Sequence, residues 1–152
     1  MADVFRSDNS WPKWKQFQLT YVVIGTAHAI AVLWVHSYIR GGQFVREMVD
    51  ALTSSSAMLV VYLVIGLGIV GYALALTVIR HHLVLPASVT TLAYGYASYT
   101  SWQSFSAARE ASVQPLLTWR TDDIYVFAWF IPLAGILLLS YVELRVRELL
   151  AE

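Results

Sequence analysis

From Ala57 to Ile79, and again from Leu83 to Ala108, the chain carries no Lys, Arg, Asp or Glu. An unpaired charge at bilayer depth costs about 2.5 kcal/mol or more, so uncharged intervals of this length point to hydrocarbon as the solvent. Composition agrees: 58% of the 152 residues are hydrophobic and 13% charged, and the mean hydropathy is +0.59. Soluble domains are about half apolar and a quarter charged, and a soluble chain of this kind would have nowhere to hide its apolar surface.

Four apolar segments follow one another, at about residues 17–39, 57–79, 83–105 and 124–142. At 1.5 Å per residue a helix of about 20 residues spans roughly 30 Å of hydrocarbon, and helices satisfy their own peptide groups there. The expectation is an all-α, polytopic membrane protein, a four-transmembrane-helix bundle. It divides into a polar, interfacial tail (1–16), a transmembrane domain (17–146) and a short C-terminal helical extension (147–152). The tail sets Trp11 and Trp14 beside Lys13 and Lys15, an aromatic and cationic pairing suited to lipid headgroups. The first span ends in Trp34, His36 and Tyr38 rather than in a small-residue cleavage site, which favours a retained helix over a signal peptide.

Between spans 1 and 2, Gly41 and Gly42 break the chain. Gln43 to Leu52 then places Phe44, Val45, Met48, Val49 and Leu52 opposite Arg46, Glu47 and Asp50, a short amphipathic helix for the interface. The hydroxyls of Thr53 to Ser56 are expected to cap span 2. Arg80, His81 and His82 leave room only for a tight antiparallel hairpin into span 3, with Pro86 in its first turn. Span 3 is expected to run on as helix to about Val113, before Pro115. Thr121, Asp122 and Asp123 supply the cap and first-turn acids of span 4, where Pro132 is a candidate kink. Glu143 and Arg147 pair four residues apart beyond it. No internal repeat is evident. Arg6, Lys13, Lys15, Arg80, Arg145 and Arg147 fall on one side of such a bundle, and Arg40, Arg46, Arg109 and Arg120 on the other. Both termini are therefore expected to be cytoplasmic.

Helices in lipid associate through small residues and interhelical hydrogen bonds, so small and polar positions mark the inside. Gly25 and Ala29 on span 1, and Gly68, Gly71 and Ala75 on span 2, form candidate packing seams. Span 3 is small or hydroxylated all round. One stripe holds Ala87, Thr91, Gly95 and Ser98, the next Thr90, Tyr94, Ala97 and Ser101, and this span is expected to be the most buried. Thr90, Thr91, Tyr94, Tyr96, Ser98 and Tyr99 either line a polar pathway or bond to backbone carbonyls and neighbouring helices. His28, at the middle of span 1, is the ionisable side chain expected at the midplane, either as a functional group or as a hydrogen-bonded core residue.

His36 stands about 12 Å along the helix axis from His28, so the two cannot share one ion. No other histidine matches His28 in depth, which disfavours a bis-histidine haem, and no metal-ligand set is expected. Glu110, Asp122, Asp123 and Glu143 lie near helix ends, where capping and solvent pairing account for them. The balance of ten basic and ten acidic residues, with no basic run, makes nucleic acid an unsuited partner. The absence of cysteine removes disulfides and thiolate chemistry. No phosphate-cradling glycine loop, HExxH or Ser-His-Asp arrangement is present, so no catalytic residue is assigned. Three roles stay open. The first is a non-enzymatic structural or accessory subunit that packs on itself or on other membrane subunits. The second is a small-solute transporter or channel protomer using His28 and span 3, and the third a quinone- or haem-binding redox subunit. No cofactor is expected under the first two.

Overall fold

The computed structural model describes residues 13–54, 56–111 and 120–151, and among these it is helical with no strand. The tail before residue 13, the side chains of Lys13, Trp14 and Lys15, and the Pro115 stop lie outside the described residues or side chains.

Helix α1, Lys13–Ile39, stops where the sequence places its two glycines. Gly41 and Gly42 take φ of +70° and +81°, and the Gly42 N–H reaches back to the Ser37 carbonyl at 2.8 Å, closing the helix with a left-handed cap that glycine adopts without strain. Helix α2, Gln43–Leu52, follows at once. Phe44 buries against the core, while Val45, Val49 and Leu52 stay exposed. The Thr53 and Ser54 hydroxyls bond backwards, to the carbonyls of Asp50 and Ala51. They therefore finish α2, and the Ser54 oxygen also accepts the Ser56 N–H at 3.2 Å at the entry to the next helix; Ser55 lies outside the described residues. Ser56 holds the N-cap position of α3 without a side-chain cap. The freed carbonyls at the end of α2 are the nearer acceptors.

Helix α3, Ala57–Ala75, continues through a π-helical turn, Leu76–Arg80. It runs antiparallel to α1 at very close range. A Cβ built on Gly71 would lie 2.5 Å from the His28 Cβ and 3.0 Å from the Gly25 Cα, and one on Gly25 would lie 2.6 Å from the Gly68 carbonyl oxygen. Only residues without side chains fit there. After the turn His82 takes a φ of +53° and the chain reverses into α4, Leu85–Glu110. The first two amides of this reversal, Val84 and Leu85, are taken by the Glu143 carboxylate at 3.3 and 2.9 Å. Glu143 also pairs with Arg147 at 2.6 Å.

The fourth apolar segment is not one kinked helix. It is α5, Thr121–Phe127, and α6, Phe130–Ala151, bent by 87° at the break between them. Pro132 lies in the first turn of α6, and a proline both lacks an N–H and crowds the carbonyl four residues back, here that of Ala128. Ala128 gives its carbonyl to Ile131 instead, at 2.8 Å. The proline thus acts upstream of itself, and the fold breaks at Ala128–Trp129. Tyr125 and Val126 of α5 enter the core beside Val32, Leu63, Leu67, Val70 and Ile136.

Two helices, Phe17–Ile39 and Ala57–Arg80, are long and apolar enough to cross a membrane, and the bent α5–α6 pair makes a third if it is counted as one span. Helix α4 is long enough, but its hydroxylated residues keep it out of that set.

Candidate functional site

The charges that the sequence places at helix ends converge at one end of the bundle. His36 lies one turn before the end of α1, Arg40 just beyond it, Asp122 and Asp123 in the first turn of α5, and Ser101 on α4. Folding α5 across the bundle puts both aspartates against α1. His36, Asp122 and Asp123 are 1%, 1% and 6% exposed. His36 Nδ1 lies 3.1 Å from Asp122 Oδ2, and His36 Nε2 3.7 Å from Asp123 Oδ1. Both are close enough for charge attraction, yet neither ring nitrogen nor Asp122 Oδ2 makes an aligned hydrogen bond. The imidazole is held edge-on by Phe44, with ring centroids 4.5 Å apart, and by Phe127 at 6.1 Å.

The remaining carboxylate oxygens are fixed from behind. The Ser101 hydroxyl donates to Asp122 Oδ1, and the Arg120 backbone N–H donates to Asp123 Oδ2 at 2.9 Å. Arg40 pairs with Asp123 Oδ1, and its guanidinium also lies 5.3 Å from the centre of the Phe105 ring. Arg120 stacks on the same ring at 4.2 Å. Capping is thus part of what Asp123 does, but the acids are buried partners of a histidine rather than solvated caps.

His28, half-buried, bonds through Nε2 to the Tyr125 hydroxyl at 3.1 Å. Tyr94 packs on Tyr125 with ring centroids 4.4 Å apart, and its hydroxyl donates to the Val32 carbonyl at 3.3 Å. Ser98 follows one turn along, its Oγ buried without a partner. Of the two small-residue stripes on α4, the one holding Thr90, Tyr94, Ala97 and Ser101 faces inward. Thr91, Gly95, Tyr96 and Tyr99 are exposed, so α4 is not the most buried helix. Its short hydroxyls do not oblige it to hide all round, and the close α1–α3 pair takes the centre.

The packing residues divide similarly. Gly25, Ala29, Gly71 and Ala75 are buried, whereas a Cβ on Gly68 or Gly95 would meet nothing within 4 Å. The cluster around His36 was missed in the sequence because 86 positions separate His36 from Asp122. The signal that could have found it is the adjacent acid pair directly before an apolar run, with a histidine and an arginine at the end of the first span. Comparison with protein-family models, curated proteins and solved structures gives no match.

Proposed function

We propose that this chain is a four-span integral membrane protein, with both termini on the cytoplasmic side, serving as a non-enzymatic structural or accessory subunit that associates laterally through α4. One observation carries the reading: the outward face of α4 is made of Ser88, Thr91, Leu92, Gly95, Tyr96 and Tyr99, all exposed, with Leu92 73% and Tyr96 71% open. Lipid tails offer hydroxyls nothing to bond with, while a second helix offers both partners and a surface that glycine lets approach closely. Gly95, with open space in front of it, sits at the centre of that face. A second copy of the same chain is the simplest partner, since one hydroxylated face complements another. Helix α4 supports the fourth crossing through its length and its two anchors, Ser101 on Asp122 at one end and Leu85 on Glu143 at the other.

Mass measurement of the protein purified in mild detergent tests this. A dimer or a stoichiometric complex is expected for the wild type, and Gly95→Leu is expected to shift it toward monomer while its helical content stays unchanged. A wild-type protein that is a stable, partner-free monomer contradicts the reading.

A second reading, a polar pathway for protons or a small solute, is favoured by the His28–Tyr125 bond and by the inward line from Thr90 through Tyr94 and Ser98 to Ser101. Flux into liposomes distinguishes it: His28→Ala is expected to lower transport, and flux equal to the wild type excludes this route.

A further inference from the structure

Asp122 is held by one oxygen and offers the other, while Asp123 is held at both, by a backbone amide and by the Arg40 guanidinium. Ser101 fixes Oδ1 of Asp122, and the Arg120 amide fixes Oδ2 of Asp123. Asp122 Oδ2 and Asp123 Oδ1 are turned toward the imidazole, at 3.1 and 3.7 Å from its two nitrogens. His36 Nδ1, His36 Nε2 and Asp122 Oδ2 are all buried without a hydrogen-bond partner. Burying unpaired polar atoms is costly, and a ring nitrogen of His36 beside Asp122 Oδ2, both unpaired, points to an occupant that bonds to them.

A proton shared between His36 and Asp122 leaves Nε2 unserved, because Asp123 Oδ1 lies 3.7 Å from it, beyond hydrogen-bond reach, and is already held by Arg40. One ligand atom from each of His36, Asp122 and Asp123 lies within 4.8 Å of the other two. Neighbouring ligands on a tetrahedral ion with bonds of about 2.0–2.2 Å stand about 3.3–3.6 Å apart, so the three side chains would draw slightly closer around an ion. Imidazole with two carboxylates and no thiolate suits borderline divalent ions rather than soft ones. Donors that grip the far side of each ligand, as Ser101 and the Arg120 amide do, are what orients a metal's first ligands.

We propose that His36, Asp122 and Asp123 bind one divalent transition-metal ion of the zinc or manganese class, through one imidazole nitrogen and one oxygen from each carboxylate. Three protein ligands leave a coordination position for water or for a group from a partner. Arg40 is the built-in competitor. Its guanidinium holds Asp123 Oδ1, and its side chain is 23% exposed, so it can turn outward as the ion enters. The ion would join α1 to α5 and, through Ser101, to α4. The proposal stands whether or not the chain self-associates.

The test is calorimetric titration of the full chain in mild detergent, stripped with chelator and then given Zn²⁺ or Mn²⁺ near neutral pH. One saturable site per chain is expected. Asp122→Asn keeps the shape and loses the charge, and His36→Phe fits between Phe44 and Phe127; each should weaken binding more than about tenfold. The double variant His81→Ala/His82→Ala, which removes two exposed histidines, should bind as the wild type does. Arg40→Gln, which removes the competitor, should bind more tightly. The proposal is overturned if the wild type shows no saturable site, if folded Asp122→Asn and His36→Phe bind normally, or if only the His81/His82 variant loses binding. Should those two ligand variants fail to fold, an Arg40→Gln protein that binds no more tightly than the wild type overturns it by itself.

Discussion

His28 and His36 share a helix and differ in everything their surroundings impose. His28 rests its Cβ against Gly71 and gives its ring to a tyrosine, whereas His36 is enclosed by two aromatic rings and two carboxylates. The first contact makes a residue-scale expectation. A side chain at position 71 must displace α1, so Gly71→Leu should lower stability by about 1–3 kcal/mol, as overpacking of a close interface does. Gly68→Ala, with open space in front of it, should change stability by no more than about 0.5 kcal/mol. Thermal unfolding of the two variants in one detergent checks both, and equal losses would mean the α1–α3 contact is looser than described. The small-residue spacing on spans 1 and 2 was legible because periodicity puts Gly68 and Gly71 in one region of the helix. Which of them faces α1 depends on rotation about the axis, and spacing alone does not carry that.

At the scale of elements, the legible parts were those set by local chemistry. Gly41 and Gly42 end α1, the alternation of Phe44 and Met48 with Arg46 and Asp50 makes α2, and the shortness of Arg80–His82 forces a hairpin. What local chemistry could not show is the direction in which Pro132 breaks its segment, since the affected carbonyl, that of Ala128, lies in the turn before. The 87° bend that results brings Asp122 and Asp123 to His36, so the site was hidden for the same reason as the break. Glu143 shows the converse case, a pair visible in sequence that has a second task. Just past the uncharged run ending at Val142, desolvation works against its ionisation. The Leu85 and Val84 amides and Arg147 outweigh that and hold its carboxyl below the ordinary 4.5. A carboxyl lowered on folding contributes stability above its unfolded value and loses it as pH falls through the lowered one. The start of α4 should therefore hold at neutral pH and loosen below about pH 4.5, with the loss absent in Glu143→Gln. Hydrogen exchange at the Val84 and Leu85 amides across that range reads the effect, and exchange independent of pH after correction for the intrinsic rate would refute it.

For the whole molecule, the helical class and the two helices long and apolar enough to cross a membrane, α1 and α3, could be read directly, because charge-free length is a global property that needs no contact information. The number of crossings needs more, since α4 is hydroxylated and the last segment is bent. The bundle has two ends. One gathers the α1–α2 turn, the α2–α3 turn, the end of α4 and the start of α5, tied by the bond from Arg109 to the Ile39 carbonyl. The other gathers the α3–α4 turn and the far part of α6, tied by Arg147 to the His82 carbonyl at 2.7 Å. If four helices cross, these ends lie on opposite faces of the membrane. The absence of any native cysteine makes this directly measurable. Single cysteines placed at Ser54, Glu110, His82 and Ala151 can be treated in sealed, oriented vesicles with a maleimide that does not cross lipid. The four-crossing account expects positions 54 and 110 to react from one face, and positions 82 and 151 only from the other. Reaction of positions 151 and 54 from the same face, or of all four from one side, would contradict it.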